Sequence, residues 1–204
     1  MEHGPTVPCR LVAVIAVALI AGCGGAQRPQ PSPATVAAIE HAEAAERARD
    51  HEVARRRYYA AIDTAPDVAS EVFARHEFAE TLLSWGEIDA GEGQLARIVA
   101  RAPDDAAAWH DLGLVRHNRG DDAGAITALE RARDLARRDP RPRISLAVLY
   151  WKLGRLPSAL VEYKALAELD LPERLLRRVE WAIACLEPGH LPAPKGCPQV
   201  KLAP

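Results

Sequence analysis

Two histidines with neighbouring carboxylates are the side chains in this sequence most suited to metal chemistry. His76 and Glu80 are four residues apart, and Asp111 directly follows His110. Residues four apart lie on one face of a helix, and imidazole and carboxylate groups are both zinc ligands. Ordinary surface polarity explains the same residues equally well. The sequence therefore predicts no metal and no other cofactor, and a zinc site remains an alternative hypothesis.

Cys23 follows an apolar run, from Leu11 to Gly22, that is shorter than the roughly 20 residues of a membrane-spanning helix. A base before the run and small residues at its end are typical of a secretory signal peptide. A buried core helix or an unprocessed anchor are the alternatives. The stretch from Ile20 to Cys23 resembles the lipobox of bacterial lipoproteins. The resemblance implies that residues 1–22 are removed and that Cys23 carries acyl chains such as palmitate. The composition of the residues after the cysteine predicts that residues 23–34 form a flexible tether.

This resemblance also predicts where the protein works. An acylated Cys23 would anchor the chain to a membrane of the bacterial cell envelope, facing the periplasm. Gly24, rather than Asp, follows the cysteine, and in enterobacterial lipoproteins this favours the outer membrane over the inner one.

Cys185 and Cys197 are left as a pair, because Cys9 lies in the predicted signal peptide. Two such thiols in an oxidising compartment are expected to form a disulfide. The bond would hold the Pro-rich tail, residues 188–204, to the last helix. Two unpaired thiols are the alternative, and the spacing excludes a CxxC motif.

Glycines recur with a period of 34 residues, at Gly86, Gly120 and Gly154. Other positions keep the same step, for example Phe78, Leu112 and Leu146. Such a period, with helix-favouring residues on both sides of a glycine, is typical of a helix-turn-helix repeat.

The repeats resemble the tetratricopeptide repeat (TPR). The quoted matches are Trp109, Leu112, Gly113, Ala125, Leu129 and Ala132 in one unit, and Leu146, Ala147, Tyr150, Gly154, Ala159 and Tyr163 in the next. The resemblance implies an all-α fold, an α-solenoid of about four TPR units over residues 35–173. The units are residues 35–68, 72–105, 106–139 and 140–173, followed by a capping helix at 174–187. In the first unit Arg49 replaces the turn glycine, and a three-residue shift in phase predicts a longer loop around residues 67–71.

Composition and motifs exclude several functional classes. The formal net charge is −2, which argues against a nucleic-acid partner. The Arg-rich stretches 55–57 and 137–143 contain or adjoin acids and are interpreted as solvated helix faces. No catalytic triad, Cys/His pair or phosphate-binding glycine loop is recognisable, so the protein is not predicted to be an enzyme.

The TPR resemblance implies a scaffold that binds a protein or peptide in a concave groove lined by the first helix of each unit. Carrying over the family's groove positions predicts the site residues Ile39, Glu43, His76, Glu80, Leu83, His110, Asp111, Leu114, Asn118, Val148 and Trp151, with Glu46 and Glu77 among further carboxylates. The expected partner segment has apolar anchors and some basic residues, and belongs to envelope assembly or secretion. Recognition of an acidic C-terminal peptide is not expected, because the Lys, Asn and Arg set of the family's chaperone-binding members is missing. The alternatives are a metal-binding envelope protein and a cell-wall spacer without a stable partner.

Overall fold

The structure is a computed structural model that describes residues 30–187 and Cys197. The predicted signal peptide, Cys23 and almost all of the Pro-rich tail lie outside the described residues. Within them the chain forms nine α-helices and no strand: α1 Pro33–Arg47, α2 His51–Asp63, α3 Val68–Ser84, α4 Ile88–Arg101, α5 Ala106–Asn118, α6 Asp122–Leu135, α7 Pro140–Lys152, α8 Leu156–Ala167 and α9 Glu173–Leu186. Consecutive helices pair as α1–α2, α3–α4, α5–α6 and α7–α8, and α9 packs on α8. The predicted all-α solenoid is confirmed.

Each helix pair turns through one residue with a left-handed backbone. Gly86, Gly120 and Gly154 have φ angles of 81°, 84° and 71°, and Arg49 has a φ of 60°. In every one of these turns the next amide bonds back into the preceding helix, as Asp121 N does to Arg116 O at 2.9 Å and Asp50 N to Ala45 O at 3.0 Å. A left-handed residue followed by such a backward hydrogen bond is a common way for a helix to end. Arg49 therefore forms the same turn as the three glycines.

The predicted loop around residues 67–71 is wrong. Helix α3 starts at Val68 and has 17 residues, whereas α5 and α7 have 13 each. The phase shift is thus taken up by an added helical turn, capped by Asp67, whose side chain accepts a hydrogen bond from Ser70 N. This turn also contacts the first helix, because Ser32 N donates to Ser70 Oγ at 2.9 Å.

Three clusters of buried side chains run along the solenoid. The first joins α1, α2 and α3, the second joins α3 to α6, and the third joins α6 to α9. Small residues allow close packing within the pairs: a Cβ on Gly113 would lie 2.7 Å from Leu129 Cγ and 3.2 Å from Ala125 O. This close approach explains the small residue at that column of the repeat.

Helix α9 closes the C-terminal end of the stack. Val179 and Ala182 are buried in the third cluster, and Leu175, Ile183 and Leu186 pack against it. Cys185, in the last turn of α9, forms a disulfide with Cys197, and their Cα atoms are 5.6 Å apart. Among the described residues, none of the helices has the length and apolar character needed to cross a membrane.

Candidate partner-binding face

The first helices of the units, together with α9, form the candidate binding face, termed here the first-helix face. Along it α1 contacts α3, and α5 contacts α7. Three cavities open along this row. They are named the acidic cavity, between α1 and α3, the central cavity, between α3 and α5, and the C-terminal cavity, between α7 and α9.

The central cavity brings together six of the predicted site residues. Its volume is about 430 Å³, and the six predicted residues in its lining are His76, Glu80, Leu83, Asp111, Leu114 and Asn118. Ile88 and Leu95 of α4 add apolar wall. Leu114 remains 37 % exposed, so an apolar surface flanked by carboxylates stays open to solvent here.

The acidic cavity, of about 550 Å³, is lined by four carboxylates, two of each helix: Glu43 and Glu46 of α1, Glu77 and Glu80 of α3. Among the described residues, weak or neutral contacts offset them: Arg47 lies 3.4 Å from Glu43, and the Thr81 hydroxyl donates to Glu46 at 3.3 Å. Burial, and then the nearby charges of Glu80 and Glu43, raise the pKa of Glu77, while His76 acts in the opposite direction. This end of the face favours a cation.

Below these carboxylates the Tyr58 hydroxyl is bonded to Thr81 Oγ1 at 2.9 Å. Burial raises the pKa of Tyr58 to about 12, against the effect of the hydrogen bond between the Tyr58 and Thr81 hydroxyls. The floor of the acidic cavity is therefore neutral and hydrogen-bonded, and the charge belongs to its rim.

The C-terminal cavity, of about 480 Å³, contains the predicted residues Val148 and Trp151 of α7. Its opposite wall is α9, with Arg174, Arg178 and Trp181. These three site residues were not predicted from the sequence, because α9 was interpreted only as a cap. Their spacing of four and three residues places them on one helix face and could have indicated a shared surface.

Two predicted residues lie elsewhere. Ile39 is 2 % exposed and belongs to the first buried cluster, so its assignment to the groove is wrong. Its side chain packs into the cluster that joins α1 to α2 and α3, so this position is covered in the first unit. His110 is in none of the three cavities and links α5 to α7, with Nε2 3.0 Å from Ser145 Oγ.

Within the described residues, His76 and His110 do not assemble a zinc site. His76 Nε2 lies 3.2 Å from Asp105 Oδ2 of the α4–α5 linker, and His110 Nδ1 lies 3.2 Å from Asp111 Oδ1. In the described part of the chain no three His, Cys, Asp or Glu side chains converge on a point where a metal could bind. His76 instead separates the central cavity from a fourth one, of about 460 Å³, between the start of α3 and that linker.

Comparison with known proteins identifies the architecture. No protein-family profile and no curated protein matches the chain. Solved structures do match. A putative kinesin light chain from Podosopora anserina with nearly identical TPR-like repeats aligns at a TM-score of 0.57 and 16 % identity, over 75 % of this chain and 85 % of that one. The chain has the TPR fold.

Structures of MamA show the same likeness to this TPR solenoid. One aligns at a TM-score of 0.61 and 19 % identity, over 74 % of this chain and 80 % of MamA. Another, MamA AMB-1, aligns at 0.57 and 22 % identity, over 75 % and 80 % of the two chains. Identities this low establish the fold and leave function to be argued from the first-helix face.

The charge and polarity of the first-helix face change along the solenoid. Carboxylates dominate between α1 and α3, leucines between α3 and α5, and arginines with tryptophans between α7 and α9. A ligand that spans the face would meet negative, apolar and positive surface in turn.

Proposed function

We propose that this protein is a non-enzymatic interaction scaffold that holds a segment of a partner protein on its first-helix face. The observation that carries the proposal is the central cavity, where six independently predicted residues converge. Leu114 at this cavity is 37 % exposed and Val148, farther along the same face, is 39 % exposed. Removing such apolar surface from water is favourable by about 25 cal/mol per Å², before the costs of association.

The same face defines the chemistry of the partner segment. Its apolar side chains would pack on Leu83 and Leu114 in the central cavity. Basic side chains would lie near Glu43, Glu77 and Glu80, because these carboxylates have few positive neighbours in the described part of the protein. Electrostatic complementarity of this kind sets the orientation and the association rate of a ligand.

We also propose that the scaffold is tethered in the bacterial cell envelope through acylated Cys23, and that its partner acts in envelope assembly or secretion. The lipobox-like sequence before Cys23 supports this. Two or more acyl chains hold a protein firmly on a membrane, whereas one does so only marginally. The variant Cys23→Ala should leave the membrane fraction and lose the acyl mass by intact-protein mass spectrometry. The control Cys9→Ala should retain both.

In-cell photocrosslinking tests the scaffold directly. A photoreactive phenylalanine at position 114 should give one recurring protein adduct, identified by mass spectrometry. The matched control is position 161, because Val161 of α8 is 64 % exposed and lines none of the four cavities. Adducts that are equal at both positions, or no adduct from 114, would contradict binding on this face and would favour a spacer without a stable partner.

A further inference from the structure

The C-terminal cavity has an aromatic wall. The Trp151 ring packs edge-on against Tyr163, with ring centroids 5.9 Å apart. It also stacks on Trp181, with ring centroids 6.2 Å apart. Trp181 is 38 % exposed and Val148, on the opposite wall, is 39 % exposed. An apolar or aromatic side chain that enters this cavity would therefore contact the Trp181 ring on one side and the Val148 side chain on the other.

Positive charge borders this aromatic wall. Arg177 is paired with Glu173. In contrast, neither Arg174 nor Arg178 forms an ion pair with any described residue, although both line the cavity. Tyr163 and Arg178 line the same cavity. Burial raises the pKa of Tyr163, and the charge of Arg178 opposes that change. Arginine binds carboxylates through paired hydrogen bonds.

We propose that the C-terminal cavity is a second anchor subsite, which takes an acidic residue of the partner segment together with an adjoining large apolar or aromatic side chain. The inference rests on the proposed scaffold function and specifies its ligand. The partner segment is then asymmetric in charge, with basic residues opposite α1 and α3 and an acidic residue opposite α9. The expectation that an acidic C-terminal peptide is not recognised came from repeat positions alone, and the arginines lie on the capping helix beyond those positions.

Charge argues against the chain's own tail as the occupant. Residues 188–204 contain Lys195 and Lys201 but no Asp or Glu. Such a segment offers no side-chain carboxylate to Arg174 and Arg178. A partner segment that carries one matches the charge of the cavity better.

Selection from a random 12-residue peptide library, displayed to the purified full chain in mild detergent, tests the subsite. Enriched peptides should carry Asp or Glu beside Trp, Tyr, Phe or Leu. The double variant Arg174→Glu/Arg178→Glu should weaken the best peptides by about tenfold or more, since hydrogen bonds to charged groups are strong. The control Arg97→Glu, an exposed arginine of α4 outside the four cavities, should change affinity by less than about twofold.

A spectroscopic readout accompanies the affinity. The Trp151 Nε1 is buried without a hydrogen-bond partner among the described residues. Its indole N–H resonance, assigned with Trp151→Phe, should shift on addition of a selected peptide. Both substituted arginines are exposed, so the double variant should keep the wild-type melting curve.

The variant Leu114→Glu separates failure of the subsite from failure of the scaffold. Peptides weakened by Leu114→Glu but not by the arginine double variant would overturn the subsite and retain the scaffold. Peptides weakened by neither, or no enriched peptide, would overturn both. Deletion of residues 188–204 also removes the Cys185–Cys197 disulfide of α9, so its control is Cys185→Ser/Cys197→Ser, which keeps the tail. If the deletion without peptide shifted the Trp151 resonance and this control did not, the tail would be the occupant and the proposal would be wrong.

Discussion

At the scale of single residues, Arg49 shows that a repeat can keep its geometry after losing its signature residue. It has a φ of 60° and makes the same backward hydrogen bonds as the turn glycines. A left-handed conformation costs a non-glycine residue about 1–2 kcal/mol. The surrounding helices α1 and α2 over-determine the turn and impose this conformation.

The first prediction concerns this strain. Arg49→Gly should raise the free energy of unfolding by up to about 1 kcal/mol, because relief of the strained φ exceeds the entropy that glycine adds to the unfolded chain. Urea unfolding followed by circular dichroism measures it. Gly120→Ala, at a φ of 84°, is the converse control and should lower stability by about 1–2 kcal/mol. A less stable Arg49→Gly variant would contradict the interpretation.

The second prediction concerns Glu77. Burial, Glu80 and Glu43 raise its pKa in the folded state. Because the folded pKa is raised, protonation of Glu77 stabilises the fold. This contribution is fully present below the unfolded pKa and is lost as pH rises through the folded pKa. Glu77→Gln should therefore increase the free energy of unfolding at pH 7 more than at pH 4.

Urea titrations of Glu77→Gln at both pH values check this difference. Glu40→Gln, an exposed carboxylate on α1, serves as the control and should show little change at either pH. An equal effect of Glu77→Gln at pH 4 and pH 7 would show that the acidic cavity does not disfavour the ionised side chain.

At the scale of helices, two glycines inside helices, Gly113 and Gly93, have different surroundings. Gly113 of α5 lets α6 approach, since a Cβ there would lie 2.7 Å from Leu129 Cγ. Gly93 of α4 is exposed, and a Cβ there would meet nothing within 4 Å. The same substitution at the two positions should therefore have opposite effects.

The third prediction compares them. Gly113→Ala should lower the free energy of unfolding by about 1–3 kcal/mol, because the added methyl group overpacks the α5–α6 interface. Gly93→Ala should raise it by up to about 1 kcal/mol, because alanine is the better helix former. Thermal and urea unfolding measure both. Destabilisation of similar size at both positions would refute the packing role of Gly113.

At the scale of the whole molecule, the protein is a linear stack in which each buried cluster spans only neighbouring helices. The first cluster ends at α3, whereas the third begins at α6. Stability in such repeat proteins is approximately a sum of unit and interface contributions. Damage at one end should therefore stay near that end.

The fourth prediction follows from this arrangement. Leu166→Ala, in the third cluster, and Leu82→Ala, in the first, both truncate fully buried leucines. Each should cost about 2–5 kcal/mol. Hydrogen exchange read by mass spectrometry should show lost protection in α6–α9 for Leu166→Ala and in α1–α3 for Leu82→Ala. Uniform loss along the chain in both variants would show that the stack unfolds as one unit.

The sequence by itself determined the helices, their 34-residue period and the capping role of α9, because turns, caps and helical periodicity are local signals. It also predicted most of the central cavity, since His76, Leu83 and Leu114 occupy fixed positions relative to the turns. The anchor at Cys23 is still a prediction from the sequence alone.

Only the tertiary structure decided which predicted positions reach the surface and which helices share a cavity. Ile39 is buried because α1 packs against both α2 and α3 at this position. Arg174 and Val148 line one cavity because α9 packs beside α7 and α8. Such juxtapositions depend on how helices rotate and pack against their neighbours. Residue types along one helix do not specify this, so the sequence could not assign the aromatic and basic end of the face.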